Sequence, residues 1–293
     1  MHYPRSDRKL RDAIGPLDPV PVNMRRFFDP DQFAPMPTPG PQDWLANHPE
    51  PGQGFAQFVR SRPNRPDARR HTLYLQPLDE FPATGPPLHQ LKDFMEAFFS
   101  MPVRVLPVLE HGTARVTSRT NPSTGLRQLL TGDILGLLAQ RLPAEAFCLL
   151  GVTLQDLYPD PSWNFVFGQA SLRERVGVYS FARYDPSFYG ERTTDRTRLM
   201  LRRSCKVLAH EAEHMFGIAH CIYFRCLMNG SNHIAESDER PLHLCPVDLH
   251  KLYDSIGFDL MSRYAHLRDF CRDVGFNDEA HWIDMQLKRA DLR

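Results

Sequence analysis

The stretch HEAEHMFGIAH, residues 210–220, sets two histidines four apart, a glutamate directly after the first, a glycine, and a third histidine. On an α-helix, His210 and His214 project from one face a turn apart, so both imidazoles can reach a single cation. Glu211 sits where its carboxylate can lean toward the remaining coordination position. Gly217 tolerates positive φ, so the helix can end there and the chain can swing round to return His220 as a third ligand. Three protein ligands with one open position describe a catalytic rather than a structural zinc. Such a metal lowers the pKa of water toward ~7, and a neighbouring carboxylate can take the proton and pass it to a leaving amine. The expectation is zinc-dependent hydrolysis with Glu211 as general base. HExxH alone is a modest signal, but the extended spacing is far more specific.

Eight residues after His220 comes Met228, in the segment Cys-Leu-Met-Asn-Gly. An extended zinc motif followed by a methionine turn resembles the metzincins, in which the methionine lies beneath the metal. Cys221, Cys226 and Cys245 crowd the same region. HEAEHMFGIAHCIYFRCLM matches without a gap the archaemetzincin pattern HExxHxxGxxHCxxxxCxM, which a CxxC pair follows to complete a second, structural zinc site. The sequence is similar to eukaryotic archaemetzincins also at DWLANHPEPGQGFAQF (43–58), at 131–172, at GVYSFARY (177–184) and at RPLHLCPVDLHKLYDSIGF (240–258). The resemblance implies a zincin-like α/β domain, activity on peptides, and two zinc ions, one catalytic and one structural. It departs from the family at Cys245-Pro246-Val247-Asp248, where aspartate stands in place of the fourth cysteine. A carboxylate oxygen can bind zinc, so Cys221, Cys226, Cys245 and Asp248 form a possible but weaker set. Substitution by His243 or His250, an unfilled site, and three thiols packed as small apolar groups remain open alternatives. Cys148, Cys205 and Cys271 stand in apolar or helical surroundings and read as core.

These residues need a scaffold, and the apolar pattern supplies one. His71–Pro77, Val103–Leu109, Ala146–Leu154, Trp163–Gln169 and Val176–Ala182 read as strands; Leu88–Phe99, Gly125–Leu142 and Leu199–Phe216 read as helices. The strands between 163 and 182 are expected to be neighbours, with 163–170 either the edge strand that pairs with an extended substrate or an ordinary core strand. Tyr179, Arg183 and Tyr184 fall near that region but are assigned to packing. Beyond Pro246 the chain reads as helical, broken near Gly257 and Gly275. The fold class is α/β (α+β), a zincin-like single domain with a mixed sheet ahead of the motif helix and a helical C-terminal part.

Half of the 26 prolines fall in residues 1–70. Runs such as PMPTPGP sustain neither helix nor central strand, so 1–70 is expected to be an arm, anchored by Trp44, Leu45, Phe55 and Phe58, on a metallopeptidase domain of 71–293 that includes the cysteine-rich segment 221–248. Lysine plus arginine equals aspartate plus glutamate, 35 each, which gives no field for nucleic acid or an anionic membrane. No apolar leader follows the charged first ten residues and no stretch is long enough to span a bilayer, so an intracellular protein, cytoplasmic or nuclear, is expected. Serine-hydrolase and nucleotide-binding signatures are absent from the sequence. The partner is expected to be a peptide, with no nucleic acid and no membrane; oligomeric state is not readable. The alternative to an enzyme is a zinc-holding peptide-binding protein with little catalysis.

Overall fold

The computed structural model describes residues 7–109 and 114–291. Residues 1–6, part of the stretch read for a leader, lie outside that range. The chain divides into two compact units, Pro66–Met215 and Met1–Arg65 with Phe216–Arg293. This is not the expected split at residue 70: the proline-rich arm shares a unit with the C-terminal helices, because its aromatic residues are part of that core.

Among the described residues of the first unit, eight strands form two sheets. β1 (Thr72–Pro77), β2 (Val103–Val105), β5 (Ala146–Thr153), β7 (Gly168–Ser171) and β8 (Val176–Ser180) make a mixed sheet of order β2-β1-β5-β8-β7, while β3 (Ser118–Thr120), β4 (Arg127–Leu130) and β6 (Asp156–Tyr158) make a smaller one. β2, β1, β5 and β8 run parallel and β7 pairs antiparallel with β8. The three interior strands β1, β5 and β8 are buried along their whole length, as strands covered on two faces must be. One face holds Tyr74, Leu149, Val176 and Val178 against Ile134, Leu135 and Leu138 of the helix Thr131–Ala139.

Period-2 alternation turns Gly177 and Tyr179 to the opposite face. A Cβ at Gly177 would lie 3.0 Å from Met215 Cε and inside the Tyr179 phenol, and one at Gly168 would meet the same ring. The two glycines make room for the Tyr179 ring on that face of the strand, beside Met215 in the last turn of the helix Arg196–Met215 that carries the motif.

The helix Leu88–Phe99 and the strands β1, β5 and β8 fall where expected. Three readings need correction. Residues 125–142 are not one helix: Arg127–Leu130 is a strand and the helix starts at Thr131. Leu126, Leu129 and Leu130 fit helical spacing, but cross-strand pairing with 118–120 and 156–158 claims this segment. The 103–109 strand stops at Val105, two residues before Pro107. The edge of the larger sheet is indeed the segment paired with β8, but its ladder covers Gly168–Ser171; Trp163 is exposed and only Val166 of the preceding residues forms a bridge, to Leu157.

The second unit is helical. Pro246–Ile256, Leu260–Asp273 and Asn277–Asp291 follow one another, with Gly257 and Gly275 at positive φ between them. Arm residues pack on these helices: Phe27 stacks on Tyr264 at 4.7 Å and Phe55 on His250 at 3.8 Å, while Phe27, Phe28, Leu45 and Phe58 are buried. The arm also carries short helices of its own, Asp7–Ile14 and Phe55–Arg60 among them.

Candidate functional site

The helix Arg196–Met215 ends just before Gly217, whose φ of 79° only glycine adopts without strain; a Cβ there would also come 3.1 Å from Pro63 Cβ. His210 and His214 lie one turn apart on this helix, their rings edge to face at 4.8 Å. Within the continuous stretch 210–220, His210, His214 and His220 each offer a ligand atom, all within 4.8 Å of one another. His210 is buried, and His214, His220 and Glu211 are half-buried. Three imidazole nitrogens with a carboxylate-bearing residue next in sequence are a donor set suited to zinc. Tyr179 is fully buried, and its phenol is pushed well up, first by that burial and then by the Glu211 charge. Arg183 and Tyr184 take packing roles: Arg183 makes a buried ion pair with Asp156 at 2.7 Å and lies over Phe165, and Tyr184 is buried.

After the turn, residues of the proline-rich arm meet the loop that bears His220. The Gln53 amide donates to the Gly217 carbonyl at 3.1 Å and accepts from Ala219 N–H at 3.1 Å. Glu50 Oε1 lies 2.8 Å from His220 Nδ1 and accepts from Trp44 Nε1 at 2.7 Å, while the Trp44 ring stands edge-on to the His220 ring at 5.4 Å. Further along, Met36 N–H donates to Tyr223 O and Arg225 N–H to Ala34 O, an antiparallel bridge. Nothing local in the sequence signals these partners, since Glu50 and His220 are 170 residues apart. Met228 is fully buried and its carbonyl accepts from Cys221 N–H at 2.8 Å, so the chain at Met228 folds back on the residue after His220. Asn229, also missed from sequence, ties this loop together through Cys226 N–H, Cys221 O and Phe224 O.

The cysteine constellation is gathered in the same unit. Cys221, Cys226, Cys245 and Asp248 are buried, and each offers a ligand atom within 4.8 Å of the others. Cys221 and Cys245 sulfurs are 3.5 Å apart; Asp248 Oδ2 is 3.2 Å from Cys226 Sγ and 3.4 Å from Cys245 Sγ. Its other oxygen, Oδ1, accepts from Lys251 Nζ at 2.8 Å, with both side chains out of solvent. Burial pushes the Asp248 carboxyl up to about 6, with the Cys221 charge adding to that and Lys251 opposing it. The alternative histidines are committed elsewhere: His243 Nδ1 lies 2.9 Å from Glu279 and its ring stacks on Trp282, and His250 bonds the Ile14 carbonyl and stacks on Phe55. None of the six cysteines is disulfide-bonded and all are buried, Cys148, Cys205 and Cys271 within the apolar cores. A third group, Asp43, His233 and Glu236, is accounted for by capping: Glu236 accepts from Trp44 and Asn232 N–H groups, and His233 caps the helix Ile234–Glu239.

Peptidase family M54 matches residues 144–254. Archaemetzincin-2 of Homo sapiens is 37% identical over 306 residues, covering 89% of this chain and 85% of the relative. The Mus musculus protein is 38% identical, covering 93% and 88%. A solved archaemetzincin from Archaeoglobus fulgidus is 30% identical over 61% of this chain and 99% of its own, with a TM-score of 0.48. The protein is therefore a zinc metallopeptidase. It belongs to the archaemetzincin family. Among the described residues no helix is long and apolar enough to cross a membrane.

Proposed function

We propose that the chain cleaves peptide bonds at a zinc held by His210, His214 and His220, with Glu211 as general base, and that Cys221, Cys226, Cys245 and Asp248 hold a second, structural zinc. The observation that carries the catalytic reading is the convergence of three imidazole nitrogens within 4.8 Å on a stretch that ends a helix at Gly217. When bound, zinc supplies Lewis-acid polarisation of a carbonyl and acidifies a water. Glu211 contributes what the metal does not: a carboxylate that accepts the proton of the attacking water and returns it to the departing amine. The histidines, fixed on one helical face and one turn, set the position at which that exchange happens. A peptide substrate follows from the family; the edge position of β7 supports the reading that an extended chain adds to this sheet. The methionine turn at Met228, buried and bonded through its carbonyl to Cys221 N–H, supports the loop after His220 in this reading.

The test is Glu211→Gln. It keeps size and hydrogen bonding but removes the base. Zinc content by mass spectrometry is expected to stay at wild-type stoichiometry while peptide hydrolysis falls by about 10²–10⁴. Turnover retained in this variant removes the assigned role and favours a zinc-holding peptide-binding protein.

A further inference from the structure

The third histidine differs from the other two in where it sits. His210 and His214 lie on the helix Arg196–Met215. His220 follows a left-handed glycine and belongs to no helix or strand, so a loop must hold its ring to useful geometry by other means. Three residues of the segment 44–53 do this. Gln53 bonds both Gly217 O and Ala219 N–H, which fixes the backbone just ahead of the ligand. Glu50 meets the ring at Nδ1, and Trp44 both bonds Glu50 and stands against the ring. Trp44 is itself fixed by Glu236, which accepts its backbone N–H at 2.9 Å. Gly52 completes the close approach: at φ 75° it lies so near Ile222 that a Cβ would overlap that side chain at 2.6 Å.

An ionised carboxylate can only accept a hydrogen bond, so the 2.8 Å contact requires the proton of His220 to sit on Nδ1. The ring's lone pair is then on Nε2. A carboxylate behind a metal-binding histidine fixes tautomer and orientation and raises ligand basicity. We infer that Glu50, from the proline-rich arm, is a positioning residue for the catalytic metal: it holds His220 in the Nδ1–H tautomer with Trp44 and Gln53 as its supports. The arm is thus part of the site's construction and not a tether. This rests on His220 being a ligand, as proposed above.

The experiment compares Glu50→Ala, Glu50→Gln and His220→Ala in the full chain. Zinc release from the histidine site to a chelator is followed, with cobalt substitution and its sulfur-to-metal absorption reporting the cysteine site separately. Glu50→Ala is expected to weaken the histidine site by about 10–100-fold and leave the cysteine site unchanged. Glu50→Gln, whose amide oxygen still accepts, is expected to lose less, roughly three- to tenfold. Nitrogen NMR of the metal-free chain at pH 8 is expected to show His220 protonated on Nδ1 in the wild type and shifted toward Nε2–H in Glu50→Ala. Reduced thermal stability with wild-type zinc release and an unchanged tautomer would reduce Glu50 to an ordinary arm contact and overturn the inference. Should Glu50→Ala fail to fold, wild-type release in Glu50→Gln overturns it equally. Histidine-site zinc retained in His220→Ala is a different failure, that of the metal assignment itself.

Discussion

At position 248 a carboxylate takes the place where the family carries a thiolate, and the formal charge of the four-donor set is the same either way. What differs is that a carboxylate has a second oxygen to satisfy, and in a site closed to water that oxygen would be costly without a partner. Lys251, one turn along the same helix, supplies it: Oδ1 goes to the ammonium and Oδ2 faces the sulfurs. Lys251→Met is therefore expected to destabilise the protein by about 3–5 kcal/mol, the cost of breaking a buried pair from one side, seen as a lowered melting temperature. If the proposed second zinc is bound at this set, Asp248→Cys is expected to slow its release relative to wild type, and equal release rates would place no metal duty on Asp248. A pH effect belongs to this scale as well. Asp185, which caps the turn Pro186–Tyr189, is held down to about 2 chiefly by its bond to Arg196. Because its folded pKa is depressed, the stability it adds is whole above the ordinary aspartate range and disappears as pH falls through about 2. The pair is partly exposed, so Asp185→Asn is expected to cost only about 1 kcal/mol at pH 7, with the variant and wild-type melting curves converging near pH 2.

The turn at Gly217 shows how an element's end, as much as its length, sets the chemistry. Gly217→Ala forces a side chain into left-handed backbone and toward Pro63, an expected loss of about 1–2 kcal/mol with zinc content at the histidine site reduced, because His220 must move with the loop. A variant that melts lower yet keeps full zinc would show that the loop can adjust without the ligand. This element was legible in advance since helical period, glycine stop and histidine spacing are all local. So was the helix Leu88–Phe99, whose apolar residues Leu91, Phe94, Met95 and Phe98 repeat at three and four and are all buried. The strand Arg127–Leu130 was not, because four residues of apolar spacing do not distinguish a strand from the first turn of the helix that follows, and the deciding partners lie near 118 and 157. Glu50, Gln53 and Asn229 were illegible for a related reason: their partners are fixed by how the chain returns on itself, and no period in the sequence records that. Lys251 is intermediate. Its three-residue spacing from Asp248 predicts a shared helical face, but burial, which turns that pair into a structural requirement, is known only from the fold.

At the scale of the whole chain, the proline-rich segment changes meaning. Composition marks residues 1–70 as an appendage, yet Val20, Phe27, Phe28, Phe33, Leu45 and Phe58 are all buried, in the unit that contains residues 216 onward. Proline does not prevent this; it lowers the entropy lost when an extended segment is laid along a core, and spaced aromatic side chains supply the apolar area. Fully burying one such side chain is worth about 1.5–3 kcal/mol, so six of them amount to roughly 9–18 kcal/mol before ordering costs, comparable with the entire stability of a typical domain at about 5–15 kcal/mol. Removing residues 1–65 would also strip the stacking partners from Tyr264 and His250 and expose those faces to water. A chain starting at residue 66 is therefore expected to lose cooperative unfolding of its C-terminal helices and to aggregate, instead of surviving as a trimmed enzyme. Circular dichroism melts and size-exclusion chromatography of that truncation decide the matter: a monodisperse product with a sharp transition would mean that the helices after Phe216 hold themselves together. Restoring the missing segment in trans, as a peptide of residues 7–65, is then the stricter check, since a core that is merely split should recover its transition and a tether should recover nothing.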